Sequence, residues 1–269
     1  MSAKADTVVL IHGLWMTPKS WDGWVQRFTE QGYRVLTPGW PGVTTPEETN
    51  ADPSALNGLG ITEIVDHYAK IIEDLDTPPI LMGHSFGGLV VQLLLDRGLG
   101  AAGVAIHAGA PKGVLRLPLA TLRTAWPVLK NPANLNRSVP LNERQFRYSF
   151  GNVLTAEQSK AAWLREAIPG PGRPFFQAAL ANLNPKAVTK VDFRNPDRAP
   201  LLIVAGGKDH VVTAGFSKAN YRLQKRNPNT TEFLAYPDRG HLTAAEPGWE
   251  QVADTLLAWA DANQRVLQP

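Results

Sequence analysis

The stretch Gly83-His84-Ser85-Phe86-Gly87-Gly88 constrains this chain more than any other. It follows a short apolar run, Pro79-Ile80-Leu81-Met82, and precedes a helical stretch at residues 89–96. The order is strand, sharp turn, helix, with a serine at the apex. Such a turn lifts the hydroxyl above a sheet and aims the first amides of the next helix at whatever the hydroxyl attacks. Glycine suits positions 83 and 87 because side chains there would crowd a strained turn. The plainer reading is a glycine-rich turn with an ordinary helix-capping serine. Glycine and serine are each about 7% of residues, so G-x-S-x-G arises by chance in about one chain in ten of this length. The rest of the chain has to decide.

Read in order, the chain alternates strand and helix. Residues 7–12 (TVVLIH) are an unbroken apolar run of the kind buried on both faces of a parallel sheet. Thr17 or Ser20 can cap a helix to about Glu30, with Trp21, Trp24, Val25 and Phe28 on its packing face. Residues 33–37 form a second strand, and residues 38–50 a loop rich in Pro, Gly and Thr. Residues 61–75 carry a stripe of Ile61, Ile64, Val65, Tyr68, Ile71, Ile72 and Leu75, ended by Pro78-Pro79. After the serine turn and its helix comes a strand at residues 102–107. The alternation resumes with strands at 200–205 and 231–236 and helices at 214–226 and 248–262.

Between them, residues 111–198 hold no clear β-run, only helical patches near 117–129, 143–150, 156–167 and 173–183. The fold predicted is α/β: a mostly parallel six-stranded sheet with helices on both faces and a mainly helical cap inserted between the fourth and fifth strands. The core is expected at 1–110 and 199–269, and the cap or lid at 111–198, at the sheet end where ligands bind.

Composition narrows the function classes. The 269 residues, 43% apolar, can fill a sizeable core. Cysteine is absent, which excludes disulfides, thiolate metal sites and a cysteine nucleophile. A net charge of +3 is too small to suggest nucleic acid. It is uneven: residues 111–198 hold fourteen basic against five acidic residues, a local +9, and the remainder carries −6. The polar start, Met1-Ser2-Ala3-Lys4-Ala5-Asp6, has no signal-like pattern, and no apolar run reaches membrane-spanning length. A cytoplasmic protein without a membrane partner is expected.

A serine nucleophile needs a base within hydrogen-bond reach, and the base needs a carboxylate to fix its tautomer. The strand at 200–205 runs into Gly206-Gly207-Lys208-Asp209-His210, and the strand at 231–236 into Pro237-Asp238-Arg239-Gly240-His241. Ser85, Asp209 and His241 thus have the types, order and loop positions of a triad. Asp238, three residues from His241, reads as a turn-shaping residue, and residues 107–110 (HAGA) offer no alternative acid. The oxyanion hole is assigned to the amides of Phe86, after the nucleophile, and Leu14, with Trp15 second, in the loop His12-Gly13-Leu14-Trp15. His12 and His84 read as structural, His67 as a surface residue, and His210 as a neighbour of the acid.

With LIHGLW, GHSFGG, the GGKD acid loop and the RGH loop in view, the chain resembles the α/β-hydrolase-fold serine hydrolases over residues 7–110 and 200–262. Larger members begin with a hairpin before the strand leading to HG; here that strand comes almost first, and a shortened sheet edge is expected. The resemblance implies nucleophilic catalysis on a carbonyl through an acyl-enzyme, with no metal or organic cofactor. A serine at 85 argues against epoxide and haloalkane chemistry, which uses aspartate. Trp15, Trp40 and Trp126, with Phe86, Phe146, Phe150, Trp163, Phe175 and Phe176, are candidates for an apolar substrate pocket, although core packing accounts for most of them. An ester or lactone of an apolar or aromatic small molecule is the expected substrate, and the basic insert would suit an anionic one. Thioester, amide or carbon–carbon hydrolysis, perhydrolase activity, or ligand binding on a hydrolase scaffold are the alternatives. The sequence is compatible with a homo-oligomer.

Overall fold

The computed structural model describes residues 4–116 and 118–265. Residues 1–3 of the polar N-terminus, and Leu117, where the sequence predicts a helix to begin, lie outside them.

The chain runs β1 (Thr7–Ile11), α1 (Asp22–Glu30), β2 (Arg34–Leu36), α2 (Pro46–Ala51), α3 (Ile61–Glu73), β3 (Ile80–His84), α4 (Phe86–Asp96), β4 (Ala102–Ile106), α5 (Leu119–Leu129), β5 (Ser138–Val139), α6 (Glu143–Ser149), α7 (Ala156–Glu166), β6 (Gly170–Pro171), α8 (Arg173–Ala179), β7 (Leu201–Gly206), α9 (Ala214–Gln224), β8 (Thr231–Tyr236) and α10 (Trp249–Asn263). Six strands form one parallel sheet in the order β2-β1-β3-β4-β7-β8. The fold is the α/β sheet the sequence predicts.

Alternation along each strand sends residues to opposite faces. Val9, Ile11, Leu81, Ala105, Leu201 and Ile203 join one core with α3 and α4, while Val8, Leu10, Ile80, Met82, Val104, Ile106, Leu202 and Val204 join another with α1 and α10. β1, β3, β4 and β7 are buried along their whole length, which is why they read as continuous apolar runs. β8, at the edge, is only partly buried. The α3 stripe Ile61, Ile64, Val65, Tyr68 and Ile72 is buried as its spacing requires.

The chain progresses one way from β1 to β2 and the other way from β3 to β8. The reversal falls between β1 and β3, and the crevice beyond their carboxyl ends is where such sheets bind ligands. The segment between β4 and β7 in the chain contacts the loop after β1. The Trp15 indole donates to the Val139 carbonyl at 2.8 Å, and the Ile168 amide donates to the Trp15 carbonyl at 3.1 Å, tying this insert to the loop after β1.

The structure departs from expectation in three places. α2 lies within the stretch read as loop, started by Thr45, whose side chain accepts from the Glu48 amide while Glu48 reaches back to the Thr45 amide. β5 and β6 pair antiparallel inside the insert. The last helical patch of the insert divides into α8 and a single 3-10 turn at Ala181–Leu183. No helix among the described residues is long and apolar enough to cross a membrane.

Candidate active site

Five neighbouring strands deliver side chains to one edge. β1 ends in the His12–Trp15 loop, β3 at Ser85, β4 at His107, β7 at the Asp209 loop and β8 at the His241 loop. Ser85 takes φ 57° and ψ −119°, a conformation an L-residue avoids. Hydrogen bonds pin it there. Its amide donates to the Ile106 carbonyl at 2.9 Å, and its own carbonyl accepts from the amides of Gly88 and Gly109, both at 3.0 Å. Its side chain makes no capping bond to α4, so the plainer reading of a capping serine does not describe it. The glycines are required by close approach, though differently from the sequence argument. A side chain on Gly83 would strike the Gly87 carbonyl, whereas the one that would press on Ser85 itself, 2.9 Å from its Cβ, belongs to Gly13.

Asp209 and His241 meet directly: His241 Nδ1 donates to Asp209 Oδ2 at 2.7 Å, with both side chains fully buried. Asp209 Oδ1 accepts from the amides of Val211 and Val212 at 2.7 and 2.9 Å. Burial opposes the charge on Asp209, but His241, His107 and their hydrogen bonds outweigh it and hold the carboxyl well below the usual range. His241 Nε2 is buried and has no partner among the described residues. The Ser85 hydroxyl also makes no hydrogen bond among them. His84, which precedes Ser85 in the chain, has its ring centre 4.6 Å from that of His241.

Two further histidines fix backbone. His84 Nε2 donates to the His241 carbonyl at 2.7 Å, anchoring the loop that carries that ring. His12 Nε2 accepts from the Trp40 amide at 3.2 Å, so its Nδ1 carries the proton and donates to the Gly13 carbonyl at 2.9 Å. Burial drives both imidazoles toward the neutral form, His12 to about 4 and His84 well below its usual value. The amides of Leu14 and Phe86 donate to no protein acceptor among the described residues. Asp238 is exposed and pairs with Lys208 at 3.2 Å, a turn role. His210 stacks on Tyr148 and bonds its carbonyl. His67 is less exposed than expected, since its Nε2 bonds the Gly39 carbonyl at 3.0 Å.

The aromatic expectations divide. Trp15 is buried at φ 65°, its ring centre 4.9 Å from Phe175 and 6.1 Å from Phe150. Phe86 lies 5.3 Å from Phe175, and Phe150 lies 5.0 Å from the His241 ring. Trp40 is buried behind this group, stacked on His12. Trp126 is corrected. It is 64% exposed on α5, whose buried residues are Thr124, Ala125, Pro127 and Val128, and it takes no part in the aromatic group.

The sequence reading missed His107. This strand end offers no acid, yet His107 Nδ1 donates to the same Asp209 Oδ2 at 2.8 Å. His107, Asp209 and His241 are also three metal-ligating types whose atoms lie within 4.8 Å of one another. Their N···O distances are those of hydrogen bonds, with both imidazole N–H groups directed at one oxygen.

Residues 8–255 match the Alpha/beta hydrolase family. The fold is similar to solved structures of a pyrethroid hydrolase (TM-score 0.70, 18% identity, covering 96% of this chain and 98% of that one). A methylesterase from Arabidopsis follows the same course (TM-score 0.65, 16% identity, 94% and 98% covered). So does a polyneuridine aldehyde esterase (TM-score 0.67, 15% identity, 95% and 99% covered). The chain matches no curated protein sequence.

Proposed function

This chain belongs to the alpha/beta hydrolase family, and on that premise we propose that it is a serine hydrolase cleaving a carboxylic ester or lactone of an apolar or aromatic small molecule. The observation that carries the reading is His241, bound through Nδ1 to a buried, ionised Asp209 at 2.7 Å, with its Nε2 unpartnered among the described residues, on the sheet edge that also carries the strained Ser85.

In this reading His241 Nε2 takes the Ser85 proton as Oγ attacks the carbonyl carbon. Asp209 stabilises the imidazolium that forms. The tetrahedral oxyanion is held by the Leu14 and Phe86 amides. His12 contributes indirectly: it holds the Gly13 carbonyl, and across the trans peptide the Leu14 N–H points the opposite way. Collapse breaks the bond to the alkoxy oxygen, which receives the proton from His241. Water then attacks the acyl-enzyme with His241 as base, releasing the acid and restoring Ser85. A lactone would give a hydroxy acid by the same steps. No step requires a metal or organic cofactor.

Residues 111–198 serve as the cap, a reading supported by the bonds that Val139 and Ile168 make with Trp15 in the loop after β1. Phe150 and Phe175 from this insert, with Trp15 and Phe86, supply the apolar wall that favours an apolar or aromatic acyl group. Trp40 supports the oxyanion loop from behind. The test is hydrolysis of p-nitrophenyl esters from acetate to decanoate by wild type and Ser85→Ala. Wild-type turnover with at least a 10⁴-fold loss of kcat in the variant is expected. Retention of more than a few per cent of activity in folded Ser85→Ala would remove the nucleophile assignment.

A further inference from the structure

Two imidazoles, not one, converge on Asp209. Its Oδ2 accepts from His241 Nδ1 at 2.7 Å and from His107 Nδ1 at 2.8 Å, and its Oδ1 from two amides. All three side chains are fully shielded from solvent. Several features hold His107 in place for this contact. Its backbone sits at φ 47°, in the left-handed region that a histidine rarely occupies. Its amide is tied to the Val204 carbonyl at 2.9 Å, and its ring fills the space a side chain on Gly206 would need. A costly conformation fixed at two points of the neighbouring strand β7 to deliver one N–H to one oxygen is a built arrangement.

We propose that His107 is a positioning residue of the Ser85–His241–Asp209 relay, anchoring Asp209 and sharing its charge so that His241 is a weaker base than it would be on Asp209 alone. The proposal rests on the hydrolase reading above. A carboxylate oxygen that serves two donors stabilises each less than it would one. With His107 gone, the undivided charge falls on His241, its imidazolium is stabilised, and the proton is held to higher pH. With His107 present, the neutral, proton-accepting form of His241 persists to lower pH.

The other ionisable groups around the pair do not supply this effect. The His84 ring centre lies 6.4 Å from His107 and 4.6 Å from His241, but burial and the neighbouring imidazoles keep it neutral, and its Nε2–H is committed to the His241 carbonyl. His107 and His241 themselves have ring centres 6.0 Å apart. Glu246 braces the loop from the far side, accepting from the Gly240 amide at 3.1 Å, with Arg239 at 4.0 Å.

The test uses three variants. His107→Leu removes the donor, and His107→Gly removes it in a residue at ease with positive φ, which guards against misfolding. His107→Asn keeps an N–H donor and tolerates that backbone. For each, the pH dependence of kcat/KM on p-nitrophenyl acetate and the titration of the His241 ring by NMR are measured. The acid limb and the ring titration should both move up by about half a pH unit in the Leu and Gly variants, an approximately threefold loss below the limb, and stay near wild type in the Asn variant. A uniform loss of rate with an unmoved limb and titration, or a downward movement, in folded His107→Gly would overturn the proposal. The ring titration needs no turnover. If wild type hydrolysed no ester, the hydrolase reading would fall while the titration still decided whether His107 sets the basicity of His241.

Discussion

The carboxyl edge of the sheet and the insert between β4 and β7 are built on different terms. At the edge, Ser85, His107, Asp209 and His241 are all buried, and the three non-glycine residues with positive φ among those described, Trp15, Ser85 and His107, all lie there. Each is held by hydrogen bonds from a neighbouring strand or loop. The insert contains none of these strained residues. Its outward side carries Leu115, Leu119 and Leu183 at more than 80% exposure within a segment of net charge +9. Strain is tolerated where a dense core fixes both sides of a turn. The insert joins that core through residues such as Val128, Phe146 and Phe150, and it contributes rings whose positions depend on packing. Chemistry should therefore fail sharply when the edge is altered, while substrate preference should respond gradually to changes in the insert.

The sharpest way to break that contrast is Asp209→Asn. It preserves shape but removes the charge that supports two imidazoles, and kcat should fall about 10⁴-fold. Stability supplies a second readout. Asp209 is ionised more readily in the folded state than in the unfolded one, so it contributes stability that is present above the unfolded value of about 4 and lost as pH falls through its depressed folded value. Urea unfolding of wild type should therefore weaken below about pH 4 more steeply than that of Asp209→Asn. Parallel curves, or activity within tenfold of wild type, would mean that the edge is less tightly coupled than its geometry implies.

The same contrast explains what could be read from the sequence. β1, β3, β4 and β7 are legible because burial on both faces forces apolar runs, and Ser85, Asp209 and His241 because a turn serine and two loop residues occur in a recognisable order. His107 is invisible to that logic, since its role depends on β4 lying beside β7 and not on any local pattern. α2 carried a readable signal, Thr45-Pro46-Glu47-Glu48, which the surrounding Pro, Gly and Thr obscured. β5 and β6 carried none. Each is two residues long, they are separated by about thirty residues, and one is Gly-Pro. Which aromatic residues of the insert face Ser85 was equally unreadable, because no period links α6 to α8.

A gentler change tests the insert's part. Phe175 touches both Trp15 and Phe86 and is only partly buried, so removing it should spare the fold. Phe175→Ala should raise KM for medium-chain esters about tenfold while kcat changes little, the pattern of lost binding common to ground and transition states. A fall in kcat with unchanged KM would place Phe175 in the chemistry and erase the distinction between wall and edge.

The smallest expected effect falls on Trp126, the aromatic residue that the sequence grouped with the pocket. α5 buries the residues on either side of it and turns the indole outward, 64% exposed. An exposed side chain outside the buried core contributes little to folding, so Trp126→Ala should change stability by no more than about 0.5 kcal/mol. It should leave kcat/KM for p-nitrophenyl butyrate within about twofold. A KM increase comparable to that of Phe175→Ala would require α5 to turn this indole inward when substrate binds. The insert would then be a moving part, and the site would include a residue that α5 here turns away from it.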